Sequence, residues 1–116
     1  MRNRAAVLED LIAWNQPLAA LAAELAEHDW DSTEELVTLR NSHVRDVLIR
    51  YTRGEVTAPD VEQWANLLEG RDDIAFSGGR QGKLGEIVHA LANPELEGDL
   101  TGSRSEELIL RLQHNT

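Results

Sequence analysis

The chain has 116 residues, with 11 Lys and Arg against 21 Asp and Glu, a net charge of −10 at neutral pH and no cysteine. That length suits one domain whose apolar core needs no staple, and the lack of thiols excludes disulfides and thiolate zinc sites. So acidic a field repels nucleic acid and anionic membrane and favours basic partners, although a solubilising surface is the preferred reading of the charge.

The first residues, M-R-N-R-A-A-V-L-E-D, carry Glu9 and Asp10 within the first apolar stretch, and no uninterrupted hydrophobic segment comes after them. The pattern argues against a signal peptide or a membrane span, and the lack of cysteine fits a reducing cytoplasm. Residues 1–53 hold six basic and nine acidic side chains and residues 54–116 five and twelve, so the acidity lies mostly in the second half.

In chain order, Val7, Leu8, Leu11, Ile12 and Trp14 form the apolar side of a helix over residues 4–14. Gln16 before Pro17 breaks or kinks it, and Pro17 opens a second helix to about His28 through Leu18, Leu21, Ala22 and Leu25. Val7, Leu11, Trp14, Leu18, Leu21 and Leu25 also read as one heptad seam across the proline, so one kinked helix and two separate helices both fit. After a connector, Ser32 and Glu35 form a capping box for a long third helix, about Thr33 to Thr52. Leu36, Val37, Val44, Val47, Leu48 and Tyr51 make its face, with Arg40 and Asn41 interrupting it midway.

The most completely specified stretch is Gly54 to Asp73, G-E-V-T-A-P-D-V-E-Q-W-A-N-L-L-E-G-R-D-D. Thr57 is the N-cap and Asp60 its capping-box partner, and Pro59 sits in the first turn, where a missing N–H costs little. Val56 and Val61 stand at the positions of a hydrophobic staple. Val61, Trp64, Ala65 and Leu68 repeat on one helix face, and Gly70 can end the helix. Next comes a glycine-rich loop, in which Ile74 and Phe76 dip into the core and Asp73–Ser77 suits a short extended piece. A fifth helix spans about Gln81 to Ala92, with Leu84, Ile87, Val88 and Leu91 on one face. Pro94 stops it. P-E-L-E-G-D-L-T-G-S is a polar connector anchored by Leu96 and Leu100, and a last helix, about Ser105 to Gln113, packs Leu108, Ile109 and Leu112. No internal repeat and no sustained strand alternation is present.

Motifs with chemical potential are few. S-G-G-R-Q-G-K-L, Ser77 to Leu84, lacks the first glycine of a phosphate-cradling loop and the hydroxyl that would hold magnesium, so a turn into a helix is the preferred reading. Arg80 and Lys83 leave a weaker anion site there as the alternative. D-W-D-S-T-E-E, Asp29 to Glu35, fails the calcium-loop pattern at its sixth and twelfth positions, where Glu34 and Arg40 stand. His28, His43, His89 and His114 form no metal-binding pair, so neither metal nor cofactor is expected. Arg40 and Asn41 in an apolar seam could set an oligomeric state such as a homodimer, though a snorkelling Arg40 with Asn41 at the rim is preferred. Trp64 reads as core, whereas Trp30, between charged residues in a connector, reads as an interface anchor. Arg71, Asp72 and Asp73 concentrate charge after the central helix. They suit acid–base chemistry or ligand binding, but more often such a run pairs in water, where each ion pair is worth ~0–1 kcal/mol.

G-E-V-T-A-P-D-V-E-Q-W-A-N-L-L-E-G-R-D-D-I, with the later L-A-N-P-E-L-E-G-D-L-T, resembles a group of small bacterial proteins of unknown function, over about Tyr51 to Thr101. The G-E-[apolar]-[ST]-A-x-x-[apolar] hairpin is also similar to small helical immunity proteins that neutralise bacterial toxins, the colicin D type among them. The resemblance implies a bacterial, all-helical protein and transfers no catalytic residues.

These readings converge on a single all-α domain over residues 1–116, of five or six helices. The leading function is a non-enzymatic interaction module, possible as an immunity-like inhibitor of a basic toxin. Its partner-binding residues would be Trp30, Asp72, Asp73, Glu95, Glu97 and Asp99. The alternative is a small ligand-binding or hydrolytic domain using Arg71, Asp72 and Asp73, or an anion site at Arg71, Arg80 and Lys83.

Overall fold

The computed structural model describes residues 3–27, 34–69, 71–79 and 81–113. The chain runs α1 (Arg4–Ala13), α2 (Leu18–Leu25), β1 (Val37–Leu39), α3 (Asn41–Thr52), α4 (Ala58–Leu68), β2 (Ile74–Phe76), α5 (Lys83–Ala92), α6 (Pro94–Glu97) and α7 (Gly102–Leu112). The fold is predominantly helical, with a parallel two-stranded sheet in which Val37, Thr38 and Leu39 pair with Ile74, Ala75 and Phe76. The Cα radius of gyration is 13.5 Å, close to the ~13.4 Å expected of one compact domain of this length. No helix among the described residues is long and apolar enough to cross a membrane.

The clearest sequence signal holds in full. Thr57 Oγ1 accepts from the Asp60 N–H at 3.2 Å while an Asp60 carboxylate oxygen accepts from the Thr57 N–H at 3.0 Å, closing the capping box of α4. Val61, Trp64, Ala65 and Leu68 are buried along its inner face. Trp64 is fully buried, its indole N–H donates to the Leu11 carbonyl at 2.7 Å, and its ring stacks on Trp14 at a centroid distance of 5.8 Å.

Two separate helices, not one seam, occupy residues 4–25. Trp14 adopts a left-handed conformation (φ 48°, ψ 53°), and its N–H and that of Asn15 fold back to the Leu11 and Asp10 carbonyls, closing α1 before Pro17. The end is reinforced from outside: the Arg50 guanidinium on α3 donates to the Trp14 carbonyl at 2.7 Å and to the Ala13 carbonyl at 3.1 Å. A cation there complements the negative pole of α1 and satisfies carbonyls with no helical donor.

The long third helix is the main correction. The chain is extended over Val37–Leu39, and α3 begins only at Asn41. Val37 and Leu39 alternate inward, the period of a strand, and the Leu36 N–H donates to the Asp73 carbonyl at 2.8 Å where β2 begins. Arg40 and Asn41 therefore mark the start of α3 and do not interrupt a helix face. The Arg40 N–H donates to His43 Nδ1 at 2.9 Å, so a histidine caps this helix. The expected Ser32 cap and the Gly70 stop lie outside the described residues.

The remaining layers pack α3 against α7 and α4 against α5. Val44, Val47 and Leu48 meet α7 through Leu108 and Leu112 in the buried core. Ser105 Oγ donates to the Leu48 carbonyl at 3.3 Å, and the Tyr51 hydroxyl donates to the Leu100 carbonyl at 3.1 Å. Leu100 is thus an anchor as expected. Leu96 is not: it stands 75% exposed on α6, a single turn that buries no side chain. α7 starts earlier than expected because Thr101 caps it, accepting from the Arg104 N–H at 3.1 Å.

Candidate functional site

The charge-rich connector after α4 folds inward. Arg71 and Asp73 are 1% and 0% exposed. The guanidinium donates twice to the carboxylate, Nε to Oδ1 and Nη2 to Oδ2, each at 3.0 Å. Arg4 at the start of α1 adds its charge at 3.7 Å. A turn through Asp72 and Asp73 leads into β2, and it holds Arg71 and Asp73 together inside while Asp72 stays exposed between them. The expected pairing in water is corrected accordingly: Arg71 and Asp73 form a bidentate pair in the interior, and only Asp72 of the three faces solvent. The apolar I-A-F immediately after Asp73 was the one hint of this in the sequence.

The glycine-rich loop also turns on itself. The Gly79 N–H donates to the Phe76 carbonyl at 2.8 Å. A Cβ built on Gly82 would lie 2.6 Å from the Gly78 carbonyl oxygen, so only glycine fits where the loop closes on α5. Lys83 Nζ donates to the Arg111 carbonyl at 2.6 Å, tying the start of α5 to the last turn of α7. Lys83 is thereby occupied as a cap for α7. Arg80 lies outside the described residues, as does Trp30.

The second acidic connector remains at the surface. Glu95, Glu97 and Asp99 are exposed on and just after α6, and two grooves flank that turn. The larger, about 650 Å³, opens between α5 and α7, with Phe76, Gly85, Ile87 and Leu108 as its apolar lining. Glu69, Glu86 and His89 stand on the α4–α5 side, Arg104 and Arg111 on the α7 side, and Glu97 at the α6 end. The smaller, about 330 Å³, lies between the start of α4 and the end of α5, where Pro59, Val61, Leu91 and Leu100 meet Glu62, Asp99 and Arg104. Sequence reasoning missed both grooves, because the residues that line them converge only through packing.

One polar cluster orders the α4–α5 rim. His89 Nδ1 lies 3.1 Å from a Glu69 carboxylate oxygen, and Asn93 Nδ2 donates to the His89 carbonyl at 2.9 Å and more loosely to Glu69 at 3.4 Å. No group of His, Asp and Glu side chains among the described residues is arranged to hold a metal ion. His43 sits apart from these grooves, in a shallow depression with Glu9, Leu36, Arg40 and Ser42. Burial lowers its pKa below the ordinary 6.5. Glu9 and Asp46 oppose that shift, and Arg40 adds to it.

Compared with protein-family models, with curated proteins and with solved structures, the chain matches none.

Proposed function

We propose that the protein is a non-enzymatic interaction module that docks a basic protein partner, in the manner of an immunity-like inhibitor of a toxin, and that it works in the bacterial cytoplasm. The observation that carries this reading is the acidic turn of α6. Glu95, Glu97 and Asp99 are exposed between two grooves, with Leu96 standing out beside them. Loops with side chains free of the core carry recognition more often than their share of the chain, and exposed charge of one sign steers association with the opposite sign. An apolar side chain amid that charge supplies the desolvated contact on which affinity depends. Asp72 adds exposed charge in the same half of the chain, whereas Asp73 is withdrawn from the docking surface by its burial. The ligand-binding alternative draws less support, because Arg71 and Asp73 pair with one another in the interior and line neither groove beside α6.

The test is capture of a basic protein from the source cell by the immobilised chain, compared with a variant carrying Glu95→Gln, Glu97→Gln and Asp99→Asn. The wild-type chain should capture the partner with an association rate that falls as salt rises, since salt screens charge over ~10 Å at 0.1 M. The triple variant should bind more slowly. Equal capture by both, independent of salt, would reject the acidic turn as the docking surface.

A further inference from the structure

The two walls of the α5–α7 cleft carry opposite charge. Glu69 and Glu86 stand on one side, Arg104 and Arg111 on the other. Arg104, Leu108 and Arg111 are spaced i, i+4, i+7, one stripe of α7, and the two arginines are about 10 Å apart along the axis at 1.5 Å per residue. The helices run antiparallel across the cleft: Lys83 at the start of α5 reaches the Arg111 carbonyl, while Ala90 and Arg104 share the lining at the other end. Glu86 therefore stands opposite the Arg111 end, and Glu69, held to His89 and Asn93, toward the Arg104 end. Glu86, Arg104 and Arg111 form no ion pair among the described residues, so the cleft keeps its opposite charges apart.

We propose that the occupant of this cleft face is a second copy of the chain, docked about a two-fold axis running along the cleft. The symmetry decides the pairing. Such an axis lies in the plane of the contact and exchanges left for right while keeping height, so each acidic wall meets the partner copy's basic wall. A two-fold axis across the cleft would set acid against acid and base against base. With the axis along the cleft, Glu86 of each copy faces the other's Arg111, and Glu69 faces the other's Arg104. Both contacts occur twice, as a self-complementary patch requires. Phe76, Ile87 and Leu108 on the cleft floor are already buried, so the contact is made by the charged walls. Complementary charge fixes the register and excludes the mismatched arrangement. The net charge of −10 opposes the encounter at long range, so the dimer should form more readily at moderate salt than at very low salt.

The proposal does not depend on the basic partner, and its test uses the chain alone. Sedimentation equilibrium over a range of concentrations should show a reversible monomer–dimer equilibrium. Arg111→Glu and Glu86→Arg should each raise the dimer dissociation constant about tenfold or more, as loss of close charge pairs does at protein interfaces. The double variant should recover affinity, because it exchanges the two signs and restores the pairing. Both positions are exposed, and a circular dichroism melt confirms that each variant folds. A chain that stays monomeric at every concentration overturns the proposal. So does a double variant that associates no better than the single ones.

Discussion

Two acidic connectors come after helices in the second half of this chain, and they meet opposite fates. After α4, E-G-R-D-D places Arg71 and Asp73 at almost zero exposure, joined by two hydrogen bonds. After α5, P-E-L-E-G-D leaves Glu95, Glu97 and Asp99 in solvent, and even Leu96 outside the core. Composition does not separate the two connectors, but the residues next in the chain do. The first runs into Ile74–Phe76, which pairs with Val37–Leu39, and the Asp73 carbonyl itself accepts from the Leu36 N–H at the edge of that pairing. The second runs into a glycine with φ of 104° and then into the cap of α7, and no strand follows it. A buried pair positions the fold and repels partners of neither sign, whereas exposed carboxylates are free to meet a partner.

The contrast can be broken most severely at Asp73. Asp73→Ala strands the Arg71 guanidinium without its carboxylate, and removing one member of a buried pair costs ~3–5 kcal/mol. A denaturant melt should show a large fall in midpoint. A smaller loss for Arg71→Met with Asp73→Leu would separate the cost of an unpaired charge from the value of the pair. Stability unchanged in Asp73→Ala would contradict the burial assigned to it.

Trp64→Phe tests whether the interior elsewhere depends equally on polar satisfaction. It keeps most of the ring volume but removes one of two donors to the Leu11 carbonyl, which still accepts from the Trp14 N–H, so the loss should be that of one ordinary hydrogen bond, ~0.5–1.5 kcal/mol. Loss of the Trp14–Trp64 stack should also change the near-ultraviolet circular dichroism. A melt within error of the wild type would mean that the Leu11 carbonyl needs no indole.

His43 lies between the two extremes, half-buried at the junction of β1 and α3. Its Nδ1 accepts from the Arg40 N–H, a role available only to the unprotonated nitrogen. Its pKa is lowered chiefly by burial, so the unfolded chain takes up the proton first as pH falls. The contribution of His43 should be intact above the ordinary value of 6.5 and should be lost as pH drops through it to the lower folded value. His43→Asn should flatten that limb of the stability–pH curve. An unaltered limb would assign the acid sensitivity to other groups.

The smallest effect belongs to the exposed connector. Glu95→Gln, Glu97→Gln and Asp99→Asn together should shift stability by no more than ~0.5 kcal/mol, as surface changes away from caps and cores do. A substantial loss would show that α6 is structural after all.

The parts of this fold written locally were legible. Thr57, Asp60 and the i, i+3, i+4, i+7 stripe through Trp64 specify α4 without outside help. Pro17 and Pro94 marked true boundaries. What failed was the stretch L-V-T-L-R-N. Two inward positions two apart fit either a strand or the edge of a helix, and three residues are too few for a period to declare itself. The decision comes from Ile74–Phe76, far along the chain. Arg71 and Asp73 misled because their burial depends on how the turn ahead of β2 packs, which their own polarity does not announce. Of the cleft, Arg104 and Arg111 were visible as residues, but their position opposite Glu86 depends on how α5 and α7 are packed.

The parallel pairing of β1 and β2 bears on how the chain folds. Each strand has three residues, and α3 and α4 lie between them. Closing so long a loop costs about 3 kcal/mol in chain entropy on the simplest logarithmic estimate, far more than three ladder positions return before the core exists. The helices must therefore dock first, and the sheet should zip last. Val37 and Ile74 would then be silent in the folding transition state, with φ-values near zero. Substitutions there would speed unfolding and leave the folding rate almost untouched.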